Sequence, residues 1–396
     1  MKLSAATLVA FAAGAIGAPA DTIKKAGTPR QAPGACESPV ELDASTNVWT
    51  QYTLHPNSFY RAEVEAAAAE MSGEAAEAAL RVADIGTFLW ADTIANIERI
   101  EPALEGVPCD HIFGLVVYDL PGRDCAAKAS NGELAVGEID RYKTEYIDVL
   151  AELITRYSNT AFALVIEPDS LPNLVTNIDQ TNCQQAAAGY REGVAYAFKK
   201  LNLPNVVMYV DAGHGGWLGW NDNLRPGAEE LADVYKAAGS PSQLRGFATN
   251  VAGWNQWDAE PGEFANDPDG QYNAAQNEQK YVTLFGAALA TAGMPNHAIV
   301  DTGRSGNPGG RLEWGDWCNV VDAGFGPRPT SETGDSLTDA FVWVKPGGES
   351  DGTSDTSAVR YDSFCGLEDA FKPSPEAGQW NQAYFEMLIE NANPPI

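Results

Sequence analysis

Histidine is scarce in this chain of 396 residues: His55, His111, His214 and His297 are all there is, and no two are close in sequence. Zinc-binding patterns such as HExxH, or CxxC followed by paired histidines, are absent. Cations are scarce as well. There are 25 Lys and Arg against 54 Asp and Glu, a formal net charge of −29. A surface that acidic repels phosphate backbones and anionic lipid, which argues against nucleic acid or a membrane as partner and favours a neutral or cationic ligand. No GxGxxG or GxxxxGK[ST] follows any apolar run, so a dinucleotide or nucleoside triphosphate site has no support. No Asn-x-Ser/Thr sequon occurs, so N-glycosylation is not expected. No metal or organic cofactor is implied.

What is present is an ordinary globular composition, 44% hydrophobic and 20% charged, with ample core. The length suits two or three domains, or one α/β barrel. Residues 1–20, MKLSAATLVAFAAGAIGAPA, have a basic start, a short apolar run and small residues at the end. That pattern predicts a secretory signal peptide, too short to span a membrane as a helix. No later stretch reaches about 18 apolar residues. The expected product is therefore a secreted, extracellular protein. Its six cysteines, Cys36, Cys109, Cys125, Cys183, Cys318 and Cys365, then point to disulfides. Six cysteines permit many pairings, and sequence alone does not choose among them; neighbours in the chain would pair 36–109, 125–183 and 318–365.

Residues 21–56 are polar and rich in Pro and Ala, and read as an extended N-terminal arm. Residues 57–396 read as one catalytic-size domain. There, short apolar runs alternate with amphipathic stretches. The expected strands are 85–92, 113–119, 162–168, 205–212, 245–251, 297–303 and 339–346, and most are apolar without a break, as strands buried on both faces are. The expected helices are 140–158, 184–201, 227–239 and 277–292. This alternation predicts a parallel sheet. Nearly every strand ends in a polar residue: Asp92, Asp119, Glu167 with Asp169, Asp211, Asn250, Asp301 and Lys345. An open sheet gathers function at one switch point, whereas a (β/α) barrel needs a ring of such residues at its mouth.

Four segments carry the candidate chemistry. In VVYDLPGRDCAAKASNG (116–132), a strand runs into a loop with Tyr118, Arg123, Asp124 and Ser130. In ALVIEPDSLP (163–172), Asp169 follows a wholly apolar strand; partial desolvation would raise its pKa and suit a general acid. Asp169-Ser170 would also serve as a plain helix cap, but a cap needs only one acidic residue and Glu167 stands beside it. In WVKPGGESDGTSD (343–355), the last strand enters a long polar loop bearing Lys345, Glu349 and Asp351. The fourth segment type is aromatic. DAGHGGWLGW (211–220) sets His214, Trp217 and Trp220 in a glycine-rich loop, and WGDWC (314–318) sets Trp317 beside a cysteine. Trp in such loops suits stacking on sugar rings, although core packing is its usual fate.

Together these segments resemble glycoside hydrolase family 6, the cellobiohydrolases and endoglucanases that hydrolyse β-1,4-glucan with inversion. The resemblance runs from about Trp90 to the C-terminus. It includes WGDWCNVVDAGFGPRP, GDSLTDAFVWVKPGGESDGTS and the closing NANP. It implies a distorted seven-stranded parallel (β/α) barrel as a single domain, with the active site at the C-terminal ends of the strands. It implies that Asp169 is the general acid and that Asp124 raises its pKa and helps pass a proton. It gives Tyr118 the task of holding the sugar and Ser130 that of positioning the water, with Asp351 matching the carboxylate proposed as base. Lys345, Glu349, Arg304, Asn250 and His214 would line the cleft, and Trp217, Trp220 and Trp317 would be platforms. The cysteine pairs 125–183 and 318–365 match family disulfides, which leaves Cys36 with Cys109. Two long loops, 120–137 and 345–380, would roof the cleft as in cellobiohydrolases rather than leave it open as in endoglucanases. The expected partners are cellulose chains and cello-oligosaccharides, acted on by a monomer. A non-catalytic glucan-binding protein is the alternative from a different class. Activity is expected to follow a bell-shaped, acidic pH profile.

Overall fold

The computed structural model describes residues 35–308 and 310–396. The leader and the first part of the arm lie outside the described residues. Eight strands form one all-parallel sheet: β1 (Thr53–Leu54), β2 (Leu89–Ala91), β3 (His111–Val117), β4 (Ala161–Ile166), β5 (Val206–Asp211), β6 (Leu244–Thr249), β7 (His297–Asp301) and, after a short antiparallel pair β8 (Asn307–Pro308) and β9 (Ala323–Gly324), β10 (Thr338–Val342). β1 pairs with the start of β3 and β2 with its end, so the two short strands share one edge. The seven staves thus formed run on in the order β3-β4-β5-β6-β7-β10. The ladder does not close. Across the seam, the Phe88 N–H donates to Trp343 O at 3.1 Å and Trp90 Nε1 donates to Val344 O at 2.9 Å.

Alternation explains why the strand sequences read as continuous apolar runs. Val116, Val165, Val207, Tyr209, Ala248, Ile299 and Val342 point into the barrel. Their neighbours Val117, Leu164, Met208, Phe247 and Val300 pack outward against helices. Both faces are buried, so both must be apolar. The helical layer consists of α1 (Ser58–Glu70), α2 (Gly73–Ala83), α3 (Ile100–Ala103), α4 (Ile139–Arg141), α5 (Asp148–Arg156), α6 (Ser170–Thr176), α7 (Thr181–Lys200), α8 (Asn221–Ala237), α9 (Glu278–Ala292) and α10 (Gln382–Glu390). α9 shows why its ends lie where they do. Asn277 caps it by accepting from Lys280 N, and Gly293, at φ 82°, ends it in the left-handed region. The expected helix over 140–158 is interrupted. A π-helical turn, Tyr142–Ile147, joins α4 to α5 and places Tyr142 and Tyr146 in the core, their rings stacked at 5.6 Å.

The stretch 35–56, read from composition as an arm, is built into the barrel. Val40, Leu42, Val48 and Trp49 join the interior cluster at the end opposite the strands' C-termini. Beneath them, Arg245 and Asp339 form a buried ion pair, and Tyr209 Oη donates to Asp339 Oδ2 at 2.8 Å. The arm completes this network, with Trp49 Nε1 donating to Tyr209 Oη at 3.1 Å and Ala44 O accepting from Arg245 Nη1 at 3.0 Å. Three disulfides form: Cys36–Cys109, Cys125–Cys183 and Cys318–Cys365. Their ends lie 73, 58 and 47 residues apart. Cross-links over such spans each stabilise by about 4 kcal/mol in the chain-entropy model. No helix among the described residues is long and apolar enough to cross a membrane.

Candidate active site

At the C-terminal ends of the strands the backbone is strained. Asp124 (φ 62°), Glu167 (φ 48°), Asp169 (φ 63°) and Asn250 (φ 59°) all sit in the left-handed region. Asp and Asn tolerate that region better than most residues, yet each such position costs about 1–3 kcal/mol and persists where surrounding contacts enforce it. Here those contacts surround a cleft of about 550 Å³.

Asp169 leaves β4 and starts α6. Its N–H donates to Asp211 Oδ2 at 3.0 Å, and its carbonyl accepts from Asn173 Nδ2 at 2.6 Å. Its side chain opens on the cleft but is otherwise enclosed by protein. Burial, then the like charges of Asp211 and Asp124, hold its pKa well above the usual carboxylate range. Asp211, at the end of β5, is also pushed up by burial, to about 7. Asp211 is the partner better able to ionise, because its Oδ2 accepts two backbone N–H groups, from Asp169 and Gly213. Of the two, Asp169 is the one held more firmly protonated.

Asp124 is fixed by its loop. Arg123 threads the loop, donating from Nε to Ser130 O at 2.9 Å and from Nη1 to Asp92 O at 2.7 Å and to Tyr118 O. Its guanidinium also lies over the Tyr118 ring, 4.1 Å from the centroid. The loop's first residues hang from Glu167, which accepts the N–H groups of Asp119 and Leu120 and, at 2.7 Å, the Tyr142 hydroxyl. The π-helical turn is what delivers Tyr142 there. Asp124 Oδ2 accepts the Ser130 N–H at 3.2 Å. Burial raises the Asp124 pKa to about 6 against the lowering effects of that N–H and of Arg123. Tyr118 and Ser130 line the same cleft.

On the opposite side, Asp351 is engaged on both oxygens. Arg304 Nη1 reaches them at 3.0 and 2.8 Å, and Asn319 N donates to Oδ2 at 2.9 Å. Arg304 itself is only 1% exposed and lies behind Asp351, over the Trp254 ring, rather than on the cleft wall. Lys345 and Glu349 line the cleft as a pair 3.6 Å apart, with Trp90 beside Lys345. Burial pushes the Glu349 pKa up, opposed by Lys345. Asp301, the polar end of β7, is structural. It accepts four backbone N–H groups, from Ala252, Gly303, Val344 and Lys345, and so ties three rim loops together.

Among the aromatics, Trp217 and Trp317 face the cleft, and Trp217 Nε1 is anchored on Thr176 Oγ1 at 2.7 Å. Trp220 packs against Trp314 instead, and its Nε1 donates to Gly216 O. His214 lines the cleft with Nδ1 accepting the Gly216 N–H, and burial lowers its pKa to about 3, so it is neutral. Asn250 is buried at the cleft floor and donates to Asn255 O and Asp301 O. The two long loops meet: Lys128 N donates to Asp362 Oδ2 at 2.9 Å, and Ala129 packs on the Cys318–Cys365 disulfide.

Sequence reasoning passed over several cleft residues. Asp211 was visible as a polar strand end, but its backbone grip on Asp169 was not. Trp90 carried no signal that separated it from core tryptophans, and Trp314, in the same WGDWC loop as Trp317, was not carried over as a platform. Asp362, which joins the loops rather than lining the cleft, carried none, since its partner lies 234 residues away.

A parallel barrel whose rim holds a protonated acid, a second carboxyl poised to ionise and Trp side chains along a roofed cleft is the architecture of a glycoside hydrolase acting on a polysaccharide chain. Comparison with known proteins is specific. Residues 49–392 match the family model for glycosyl hydrolases family 6. The 1,4-beta-D-glucan cellobiohydrolase CEL6C of Podospora anserina is 65% identical over 399 residues, covering 100% of both chains. The catalytic core of the cellobiohydrolase Cel6A from Chaetomium thermophilum superposes with a TM-score of 0.84 at 48% identity, covering 88% of this chain and 99% of that one. Cellobiohydrolase II (Cel6A) from Humicola insolens, in complex with glucose and cellotetraose, does so at 0.82 and 45%, covering 89% and 100%. The chain belongs to glycosyl hydrolases family 6 and is a glycoside hydrolase.

Proposed function

We propose that this enzyme hydrolyses β-1,4-glucosidic bonds in cellulose and cello-oligosaccharides, releasing cellobiose from the non-reducing chain end with inversion. Two relatives from Podospora anserina, 65% and 51% identical, carry the name cellobiohydrolase. The observation that favours chain-end over internal attack is the roof. The loops 120–137 and 345–380 are joined by the Lys128–Asp362 hydrogen bond and held from behind by Cys125–Cys183 and Cys318–Cys365. A long chain then enters by threading rather than by dropping in.

Asp169 gives its proton to the glycosidic oxygen as the bond to C1 breaks. A water attacks C1 from the other face and loses a proton to a carboxylate. Inverting enzymes hold the two groups about 6.5–9.5 Å apart to leave room for that water. Asp351 is poorly placed to take the proton, because both its oxygens are committed to Arg304 and Asn319. Asp124, whose carboxylate accepts a single hydrogen bond among the described residues, from the Ser130 N–H, has an oxygen to spare. We assign it the receiving role, with the Ser130 hydroxyl positioning the water. Trp217 and Trp317 are the stacking platforms, Lys345 and Glu349 bind sugar hydroxyls, and Arg304 acts only by orienting Asp351.

The leader-like residues 1–20 and the three disulfides support secretion, and the enzyme is taken to act as a monomer. Product analysis on cellohexaose with anomer detection tests the whole reading. Cellobiose as main product, released first as the α-anomer, is expected; β-anomers, or a random product ladder, would overturn it.

A further inference from the structure

Among the exposed large apolar side chains of the described residues, Phe364 alone lines the cleft. The residue is 37% exposed, and among the described residues its one ring partner is Trp317, 5.7 Å away with the planes 31° apart. The two rings are neighbours for a covalent reason. Trp317 precedes Cys318, Phe364 precedes Cys365, and the two cysteines form a disulfide. Phe364 is also held from its backbone. Its N–H donates to Asp362 Oδ1 at 3.1 Å, which caps the short turn Ser363–Gly366. An exposed aromatic ring fixed by a disulfide and a cap is pre-organised for a flat ligand, since little freedom is left to lose on binding. Arg360 lines the cleft close by in sequence. Glu376 accepts its Nε–H at 3.1 Å, the one side-chain hydrogen bond it makes among the described residues. Its remaining N–H groups are donors suited to hydroxyls.

We propose that Phe364 extends the Trp317 platform, with Arg360 as hydroxyl donor, to form an additional subsite for one glucosyl residue of a β-1,4-glucan chain. The subsite rests on the glucanase reading above and deepens it by making the enzyme selective for chain length. A short oligosaccharide fills the inner cleft without reaching Phe364, and a longer one gains a stacking contact.

Turnover of cellotetraose and cellohexaose by wild type, Phe364→Ala and Phe364→Trp tests this, together with a tryptophan-fluorescence titration of each with cellohexaose. Phe364→Ala is expected to weaken kcat/KM for cellohexaose about three- to tenfold through KM. Cellotetraose should change less than about twofold by the same reasoning, and Phe364→Trp should restore the difference. Equal losses on both substrates, or none on either, would overturn the subsite. A wild type that cleaves neither sugar contradicts the glucanase reading. In that case the titration still decides the subsite, by whether Phe364→Ala weakens cellohexaose binding.

Discussion

At Asp169, burial and two neighbouring carboxyls act in the same direction, and Arg123 alone opposes them. The acid is thus kept protonated by its surroundings. Asp169→Asn keeps the shape and removes the proton, so kcat on cellotetraose should fall about 10²–10⁴-fold with KM little changed. An aryl cellobioside with a highly acidic leaving group needs no proton and should lose far less. A uniform loss on both substrates would show that Asp169 does not act as the acid. Asp124 sets the other limb. In the proposed role it must be ionised to receive a proton and its pKa is raised to about 6, so activity should rise with pH through about 6, which puts the optimum above the acidic range expected from the sequence, and fall again as Asp169 ionises. Asp124→Asn should abolish the acid limb along with most of kcat, and a limb unmoved in the residual activity of that variant would return the base role to Asp351. At this scale the sequence was informative about which residues gather at the cleft and less so about their state. Asp169, Asp124 and Tyr118 could be placed there from strand ends and motif. That Asp351 is locked by Arg304, and that Trp220 and Arg304 stand behind the wall, depends on side-chain packing that no spacing encodes.

The strands were legible because burial on both faces leaves a near-continuous apolar run in most staves, broken chiefly by Arg245 in β6 and Asp339 in β10. β1 was not, having only two residues to carry a pattern, nor was the π-helical turn, since one extra residue barely shifts the spacing of Tyr142 and Tyr146. The roof was legible as two long loops, but not as a closed one. Asp362 contributes to its closure, one oxygen holding Lys128 N across the loops and the other Phe364 N within its own, beside the packing of Ala129 on the Cys318–Cys365 disulfide. Removing that carboxylate removes the hydrogen bond between the loops. Asp362→Ala should make the enzyme lower the viscosity of carboxymethylcellulose faster per reducing end formed, while the three disulfides keep the barrel intact. An unchanged ratio would show that the loops are held shut by other contacts and that Asp362 is no latch.

Across the whole molecule, the acidic composition takes on a sign. Buried carboxyls dominate the perturbed groups: Asp124 and Asp316 are raised to about 6, Glu63, Glu167 and Asp211 to about 7, and Asp119 to about 8, with burial the largest cause in each. Unfolded carboxyls titrate near 4. The folded state therefore binds more protons between about pH 4 and 8, and stability falls as pH rises through that window. A tenfold difference in proton affinity between the folded and unfolded chain corresponds to about 1.4 kcal/mol. Self-repulsion from a net charge of −29 acts in the same direction. Thermal unfolding should thus occur at a higher Tm at pH 5 than at pH 8, by on the order of 5 °C or more. The excess of acids was plain in the sequence, but it could as well have been a solvated surface with no such slope; only burial decides. Asp119 isolates the buried contribution. It is fully buried, lies 3.8 Å from Arg123 and, among the described residues, has no hydrogen-bond partner on either carboxylate oxygen. Asp119→Asn removes the ionisation and keeps the volume, at the cost of the distant Arg123 pairing. Below about pH 4, where Asp119 is neutral in the folded and the unfolded chain alike, Tm should change little. Above pH 8 the variant should unfold at a higher temperature than the parent, flattening the fall of Tm with pH. If the two Tm curves run parallel across the range, Asp119 ionises freely in the folded state, and the slope belongs to the surface instead.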